Sequence, residues 1–299
     1  ANSNGSWQGI VSKPRSSAGS GTALKWGGAF FIGGSSNFII NADMGSIGSV
    51  KFDRILTGTP LNTGSIPRGF SILASGNAGA GMDLFAKQFA SVAEDPENTI
   101  LVSTSETSNE ILSVYRKYDW PTDIRVRTMG EEYNKEVLTR ELAASRYRIE
   151  GFTLSDIQKL AQTRFVEQKN HDFLTDLATQ VTSLGPYFRA VIDSLDFFYS
   201  RFDPARVTSM LRIMQAHAQR NRGLLLMTVS DQAVDKSTER ELMAICDIVM
   251  EFEVGMRGSD FDTRMVIRRF RNAPENLAFI TFRVTPEEAI TPETVERVA

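Results

Sequence analysis

The sequence predicts an α/β protein with one central, mostly parallel sheet and helices on both of its faces. Three observations lead to this doubly wound fold class. From about Val50 onward, short apolar runs alternate with stretches of helical periodicity. The first five apolar runs are separated by connections long enough for parallel pairing. The last three are joined by short turns, so we expect antiparallel strands at one edge of the sheet.

Each predicted strand is a short apolar run bounded by polar or glycine residues. In chain order the strands are Phe70–Ala74, Thr99–Ser103, Ile124–Thr128, Phe188–Ile192, Gly223–Val229, Ile248–Glu253, Met265–Phe270 and Ala278–Val284. Helical spacing of apolar residues marks the segments between them. The predicted helices are Met82–Ala93, Asn109–Lys117, Ser155–Leu184 in one or two pieces, Pro204–Arg220 and Ser237–Ala244.

Composition divides the chain into three regions. Residues 1–50 are rich in glycine and serine and are expected to form an arm or small hairpins, not an independent domain. Residues 51–285 form the predicted core domain, and residues 286–299 form a C-terminal tail. With 41% hydrophobic and 23% charged side chains, 299 residues are enough to bury a sizeable core.

Charge and residue usage exclude several classes of function. A formal charge of -3 gives no global basic footprint, so nucleic acid is not an expected partner. Cys246 is the only cysteine, which excludes an intrachain disulfide, and its apolar neighbours predict a buried side chain. With His171 and His217 as the only histidines, a zinc site is not expected. The absence of a long apolar run or secretory signal predicts a cytoplasmic protein without membrane contact.

The stretch "ILASGNAGAGMDLF" has the outline of a phosphate-binding loop. An apolar strand runs into a glycine-rich turn and then a helix, and Gly76 and Gly81 have the spacing of a phosphate-binding loop. Gly79 also permits the tight backbone path. Where the motif GxxxxGK[ST] requires a lysine and a hydroxyl residue, this chain has Met82 and Asp83. The sequence therefore predicts the outline of a triphosphate site without its cation.

Four stretches together resemble the ATPase core of the RecA superfamily, and most closely its KaiC-like branch. In chain order they are "FDRIL" with "GSIPRGFSILASGNAGAGMD", then "ILVSTSETSNEIL", "FRAVIDSLDFFYSRFD" and "GLLLMTVSD". "SETSNEILSVYRKYDW" and "MRGSDFDTRMVIRRFRNAP" are similar to two further stretches of the KaiC-like branch. The resemblance extends over about Lys51 to Val284 and implies a RecA-like core with a degenerate Walker A loop.

The resemblance also implies roles for two carboxylates. Asp193, which ends the strand "RAVID", matches the Walker B residue that holds Mg²⁺ through water. A pair of glutamates that orients the attacking water is represented here by Ser105 and Glu106, so one carboxylate of that pair remains. The alternatives are structural: Asp193 can cap a turn, and Glu106 lies in a helix N-cap region.

The basic residues near the C-terminus have three interpretations. The resemblance assigns Arg269 and Arg271 to a basic trio that points towards the nucleotide of an adjacent subunit. A solvated face with glutamate partners and a contact with nucleic acid backbone are the alternatives. Strict strand alternation would place these two arginines on one face and Arg268 with Phe270 on the other.

Both departures from the motif, Met82 and Asp83, are expected to weaken the binding of a triphosphate. Unit charges 4 Å apart interact by roughly 4 kcal/mol at an effective dielectric of 20, so a lost lysine and an added carboxylate both matter. A first-turn aspartate is itself favourable at a helix N-terminus, so Asp83 can stabilise an empty loop. The alternatives are that Asp83 binds a divalent ion, or that Lys87 or a neighbour's arginine reaches the phosphates.

The leading hypothesis is a catalytically degenerate KaiC/RecA-like protein that regulates or scaffolds an assembly, in signalling. Hydrolysis of ATP is not expected. No cofactor is expected either, and the alternative is a bound ATP with Mg²⁺. The expected partner is a second copy of the chain or a related ATPase. The alternatives are an ATPase with a non-standard loop that uses Asp193 and Glu106, and a DNA binder that resembles recombination mediators.

Overall fold

The computed structural model describes residues 23–26, 29–32, 44–49, 51–53, 65–77, 79–93, 97–136, 145, 172–257 and 260–297. The chain divides into two compact units, Ala1–Met44 and Gly45–Ala299. In the first unit, β1 (Ala23–Trp26) and β2 (Ala29–Ile32) form an antiparallel pair. Most of the predicted arm, and the predicted helix from Ser155 up to residue 171, lie outside the described residues.

A nine-stranded sheet forms the centre of the second unit. Its strands are β5 (Ser71–Gly76), β6 (Asn98–Ser103), β7 (Arg125–Thr128), β8 (Phe188–Asp193), β9 (Leu224–Ser230), β10 (Ile248–Arg257), β11 (Asp260–Phe270), β12 (Ala278–Thr285) and β13 (Ala289–Arg297). Two-residue strands, β3 (Met44–Gly45) and β4 (Ile66–Pro67), precede them in the chain. The spatial order is β13-β12-β11-β10-β5-β9-β8-β6-β7.

The strands pair as predicted, with a parallel part and an antiparallel part of the sheet. Every neighbouring pair from β10 to β7 in the spatial order is parallel. The strands from β10 to β13 pair antiparallel, which makes a C-terminal extension at one edge. The predicted fold class, a mostly parallel sheet with antiparallel C-terminal strands, is confirmed.

Helices cover both faces of the parallel strands. They are α1 (Met82–Ser91), α2 (Ser108–Lys117), α3 (Phe173–Thr182), the single turn α4 (Asp196–Tyr199), α5 (Pro204–Asn221) and α6 (Lys236–Ile245). Residues 51–53 and 129–136 are also helical. One apolar cluster lies between the sheet and α1 with α2, and a second lies between the sheet and α3 to α6. No described helix combines the length and the hydropathy that crossing a membrane requires.

The central strands are apolar throughout because both of their faces are covered. In β5, Ile72 and Ala74 belong to the cluster on the α1 face, and Leu73 belongs to the cluster on the opposite face. All six residues of β8 are buried. Cys246 is fully buried, which confirms the prediction, and this burial raises the pKa of its thiol to about 12.

The sequence reading did not predict β13, which lies within the residues set apart as a tail. Its sequence "AITPETVER" has few apolar residues and contains Pro292. Residues 289–292 of β13 are buried, but Ala289 and Ile290 are followed by threonine, proline and glutamate, so the strand has no apolar run long enough to be recognised. Proline is also tolerated on an edge strand, and here Pro292 pairs with Phe282 beside a register shift.

A β-bulge in β11 overturns the predicted alternation of its basic residues. Val249 of β10 pairs with Arg269, and the next residue of β10, Met250, pairs with Ile267, so Arg268 is the extra residue. Arg268 forms an ion pair with Glu251. Phe270 instead joins the apolar cluster on the α1 face. The prediction that Arg268 and Phe270 share a face is therefore wrong.

Candidate functional site

The C-terminal ends of β5, β6, β8 and β9 meet at one edge of the sheet. This edge is the usual location of ligand sites in open α/β folds. The glycine loop follows β5, Glu106 follows β6, and Asp193 ends β8. The structure therefore places the predicted loop and both predicted carboxylates at the same edge.

Two backbone requirements explain the glycines of the loop. A Cβ at Gly76 would lie 2.6 Å from the carbonyl oxygen of Phe252, so the neighbouring strand β10 leaves no room for a side chain. Gly79 and Gly81 have left-handed φ angles of +83° and +85°. Gly81 is the N-cap of α1, and no side chain among the described residues caps this helix.

Met82 and Asp83 point to different environments. Met82 stands where the motif requires lysine, and its residue is 9% exposed within the apolar cluster on the α1 face. Gly81 lies beside Phe282 and Ile290 of the C-terminal hairpin β12–β13, which belong to the same cluster. The first helical residue is thus used for packing. Asp83 is exposed in the first turn of α1 and adds a negative charge at the loop.

Within the described part of the chain, Lys87 is the lysine that contacts the predicted catalytic carboxylates. It lies one helical turn after Asp83, on the buried face of α1, and its side chain is 2% exposed. Its Nζ is 2.6 Å from Glu106 Oε2 and 4.0 Å from Asp193 Oδ2. The same ammonium lies 3.4 Å from the backbone oxygen of Asp83. The cation of this site therefore binds the carboxylates and is not directed into the glycine loop.

Asp193 is held by neighbouring strands. Its Oδ1 accepts a hydrogen bond of 2.7 Å from Thr228 Oγ1 of β9. Burial raises the pKa of the Asp193 carboxyl, while the charge of Lys87 and the hydrogen bond from Thr228 act in the opposite direction. The backbone after Asp193 is connected to the residue that follows β6, because Ser194 N donates to Thr104 Oγ1 at 2.9 Å.

Glu106 and the cap of α2 are separate features. Thr107 is the N-cap, and it forms a capping box with Glu110: Thr107 N donates to Glu110 Oε2 at 2.7 Å, and Glu110 N donates to Thr107 Oγ1 at 3.3 Å. Glu106 precedes this box and turns its carboxylate to Lys87. The side chain of Glu106 remains 30% exposed, so it lies at the border between the buried ion pair and solvent.

Arg269 and Arg271 lie at the opposite edge of the sheet from the glycine loop of their own chain. Arg269 pairs with Val249 near the start of β10, whereas the loop follows the end of β5. Arg269 Nη1 donates to Met243 O at 2.7 Å, at the C-terminal end of α6. Arg271 Nη1 donates to the buried Asp247 at 2.7 Å. Both guanidinium groups therefore have partners within the chain.

Sequence reasoning did not single out Thr228 or Thr104. Each is a hydroxyl residue at or just beyond the end of a buried apolar strand, and each hydrogen-bonds to the end of β8. A polar residue in the apolar run "LLLMTVS" was the available signal for Thr228. Within the described residues there is no group of three or more histidine, cysteine or acidic side chains arranged to hold a metal ion.

The sheet order, the glycine turn after β5 and the carboxylate at the end of β8 define a RecA-like, P-loop type ATPase fold. The family described as ATPase: KaiC matches residues 46–292, so the chain belongs to the KaiC family of ATPases. No curated protein matches the sequence.

The solved structures that are similar to this chain include two archaeal proteins. Flagellar accessory protein FlaH from Methanocaldococcus jannaschii matches with a TM-score of 0.59 and 14% identity. A KaiC-like protein from Pyrococcus horikoshii matches with a TM-score of 0.54 and 16% identity. Each match covers 84% of this chain and 99% of the other chain. At this identity, the likeness establishes the shared fold.

Proposed function

We propose that this chain is a KaiC-family member without ATP hydrolysis that serves as a regulatory or scaffolding subunit, in a cytoplasmic signalling assembly. The burial of Met82 carries the proposal. A lysine at this position supplies the positive charge that binds the β- and γ-phosphates. Here the position is occupied by an uncharged side chain packed in the core.

The charges around the loop support the same conclusion. Asp83 replaces the hydroxyl residue that would bind Mg²⁺ and adds an exposed negative charge. Lys87 is paired with Glu106 and Asp193. A triphosphate at the loop would therefore meet a repulsive carboxylate, and no lysine or arginine within the described residues is directed into the loop to offset it.

Two measurements on the full chain test whether nucleotide chemistry is lost. Calorimetry measures the binding of Mg-ATP, and an assay of released phosphate measures its hydrolysis. We expect no saturation below about 1 mM, which corresponds to roughly -4 kcal/mol of binding free energy, and no release above the buffer rate. The alternative hypothesis, an active ATPase with a non-standard loop, predicts that the chain binds Mg-ATP with micromolar affinity and that Asp193→Ala abolishes this binding. Asp231→Ala, which removes an exposed carboxylate at the same edge of the sheet, is the matched control.

The test of assembly is the mass of the purified chain in solution. RecA-like domains place their nucleotide sites between subunits, so a member without chemistry can keep the assembly surface. We expect light scattering to give a multiple of the 33.2 kDa chain mass, and we expect EDTA and ATP to leave this mass unchanged. A monomer at all concentrations would contradict self-assembly. Assembly only in the presence of ATP would favour the alternative hypothesis that this chain is an active ATPase.

Nucleic acid binding through β11 has no support from its basic residues. Arg264 pairs with Glu253, and Arg268 pairs with Glu251. Arg269 and Arg271 donate to Met243 O and Asp247. These guanidinium groups are already matched to acceptors within the chain, so we do not propose DNA as a partner.

A further inference from the structure

Lys87 lies beside the two carboxylates that the ATPase motif assigns to metal and water. In the ATPase motif, the metal lies between the phosphates and the Walker B carboxylate. In this chain, the ammonium of Lys87 lies 4.0 Å from Asp193 Oδ2 and 2.6 Å from Glu106 Oε2. Both carboxylates that could attract a metal therefore face a positive charge that belongs to the protein.

The position of Lys87 is determined by α1 itself. Residues 85–90 of this helix are all buried, and the side chain of Lys87 is 2% exposed. A buried ammonium requires a paired anion and hydrogen-bond acceptors. Glu106 and Asp193 supply the anions, and the backbone oxygen of Asp83 accepts a hydrogen bond from the ammonium. Lys87 and its two carboxylates thus form one cluster of charges, in which Lys87 supplies the positive charge.

A divalent ion cannot share this space with the ammonium at low energetic cost. Like charges a few ångströms apart repel strongly in a mostly buried site, and Lys87 already contacts Glu106 Oε2, one of the oxygens that the metal would need. Asp83, in place of the hydroxyl residue, is exposed at the start of α1, and the apolar Met82 precedes it. The residues present therefore do not fit the Mg²⁺ site of the ATPase motif.

We propose that Lys87 is the permanent counter-ion of the Glu106–Asp193 pair and excludes divalent cations from it. Removal of the ammonium then leaves two carboxylates facing one space, which is a latent site for a hard divalent cation such as Mn²⁺. The inference concerns the same edge of the sheet as the proposed function. The test of this inference measures metal binding without nucleotide, whereas the proposed function is tested with Mg-ATP. Each proposal can therefore fail without the other.

The experiment measures Mn²⁺ binding by the full chain, from the loss of the free-ion signal in electron paramagnetic resonance. We expect wild type to take up no Mn²⁺ at this site and Lys87→Met to bind one ion per chain, about ten-fold or more tightly than any site of the wild type. Adding Asp193→Asn to Lys87→Met should abolish this binding. Lys117→Met, which removes an exposed lysine at the end of α2, should behave as wild type.

Thermal unfolding keeps the proposal testable if Lys87→Met folds poorly. Lys87→Gln keeps a hydrogen-bonding side chain without the charge, and we expect Mn²⁺ to raise its Tm while EDTA reverses the rise. Wild-type Tm should be the same in Mn²⁺ and in EDTA. The proposal is overturned if wild type binds Mn²⁺ in a manner that Asp193→Asn abolishes, or if neither lysine variant gains Mn²⁺ binding.

Discussion

Replacement of Glu97 by glutamine is expected to lower the free energy of unfolding by about 3–5 kcal/mol. Glu97 is the carboxylate of a buried ion triad, and its side chain is 1% exposed. Arg189, whose side chain is fully buried, donates from Nε to Glu97 Oε2 at 2.7 Å and from Nη2 to Oε1 at 3.3 Å. Arg68 forms a second ion pair with the same carboxylate.

The large effect follows from what glutamine leaves behind. The substitution keeps the size of the side chain but removes its negative charge. That charge is the one that Arg68 and Arg189 share in these ion pairs. Arg189 keeps its hydrogen bonds to the backbone oxygens of Ser46 and Phe89, which do not neutralise it. Breaking a buried pair by removal of one partner is costly because the remaining charge cannot be solvated.

Urea denaturation, analysed by linear extrapolation, measures this loss. Glu241→Gln is the matched control, because it removes the same charge from an exposed ion pair with Arg212. The side chains of that pair are 47% and 56% exposed, and we expect a change of less than about 1 kcal/mol. A loss at Glu97 as small as that at Glu241 would show that the triad does not stabilise the fold.

The sheet could be predicted because its parallel strands are buried on both faces. Stretches such as "FRAVID" and "LLLMTVS" are apolar throughout, and the long helical connections between them require parallel pairing. β13 could not be predicted in this way, since an edge strand with proline and glutamate carries no such pattern. The bulge at Arg268 depends on how β11 pairs with β10 and leaves no signature in the sequence of β11 alone.

The sequence predicted the residues of the candidate site but not the contacts between their side chains. The glycine loop and Asp193 each follow a recognisable strand, so their shared edge could be expected. The partners of Lys87 come from β8 and from the segment after β6, which are distant in the chain. Sequence reasoning expected Lys87 to reach phosphate if it had a role. The packing of α1 against the sheet decides instead that Lys87 meets the carboxylates.

Gly130→Ala is expected to lower the free energy of unfolding by about 3 kcal/mol, the upper end of the usual range for overpacking. Gly130 lies in the helical residues 129–136, and a Cβ at this position would lie 1.9 Å from Thr104 O and 2.6 Å from Thr104 C. These are backbone atoms, so a side-chain rotation cannot relieve the overlap.

Thr104 cannot move away from the new methyl group without disturbing the end of β8. Its backbone N donates to Asp193 O at 2.8 Å, and its hydroxyl accepts from Ser194 N at 2.9 Å. The helix that contains Gly130 must therefore shift, and the strain reaches the strand end that carries Asp193. Circular dichroism in urea measures the cost as a lower midpoint.

Gly185→Ala provides the matched control for Gly130→Ala. A Cβ at Gly185 would meet no atom within 4 Å, and its φ lies outside the left-handed region. The same chemical change there should leave stability unchanged or raise it by about 0.4–1 kcal/mol, because alanine restricts the unfolded chain. If both variants unfold at the same urea concentration, the close approach of residues 129–136 to Thr104 does not exist in solution. If Gly130→Ala alone is destabilised, that contact fixes the position of the strand end beside Lys87 and Asp193.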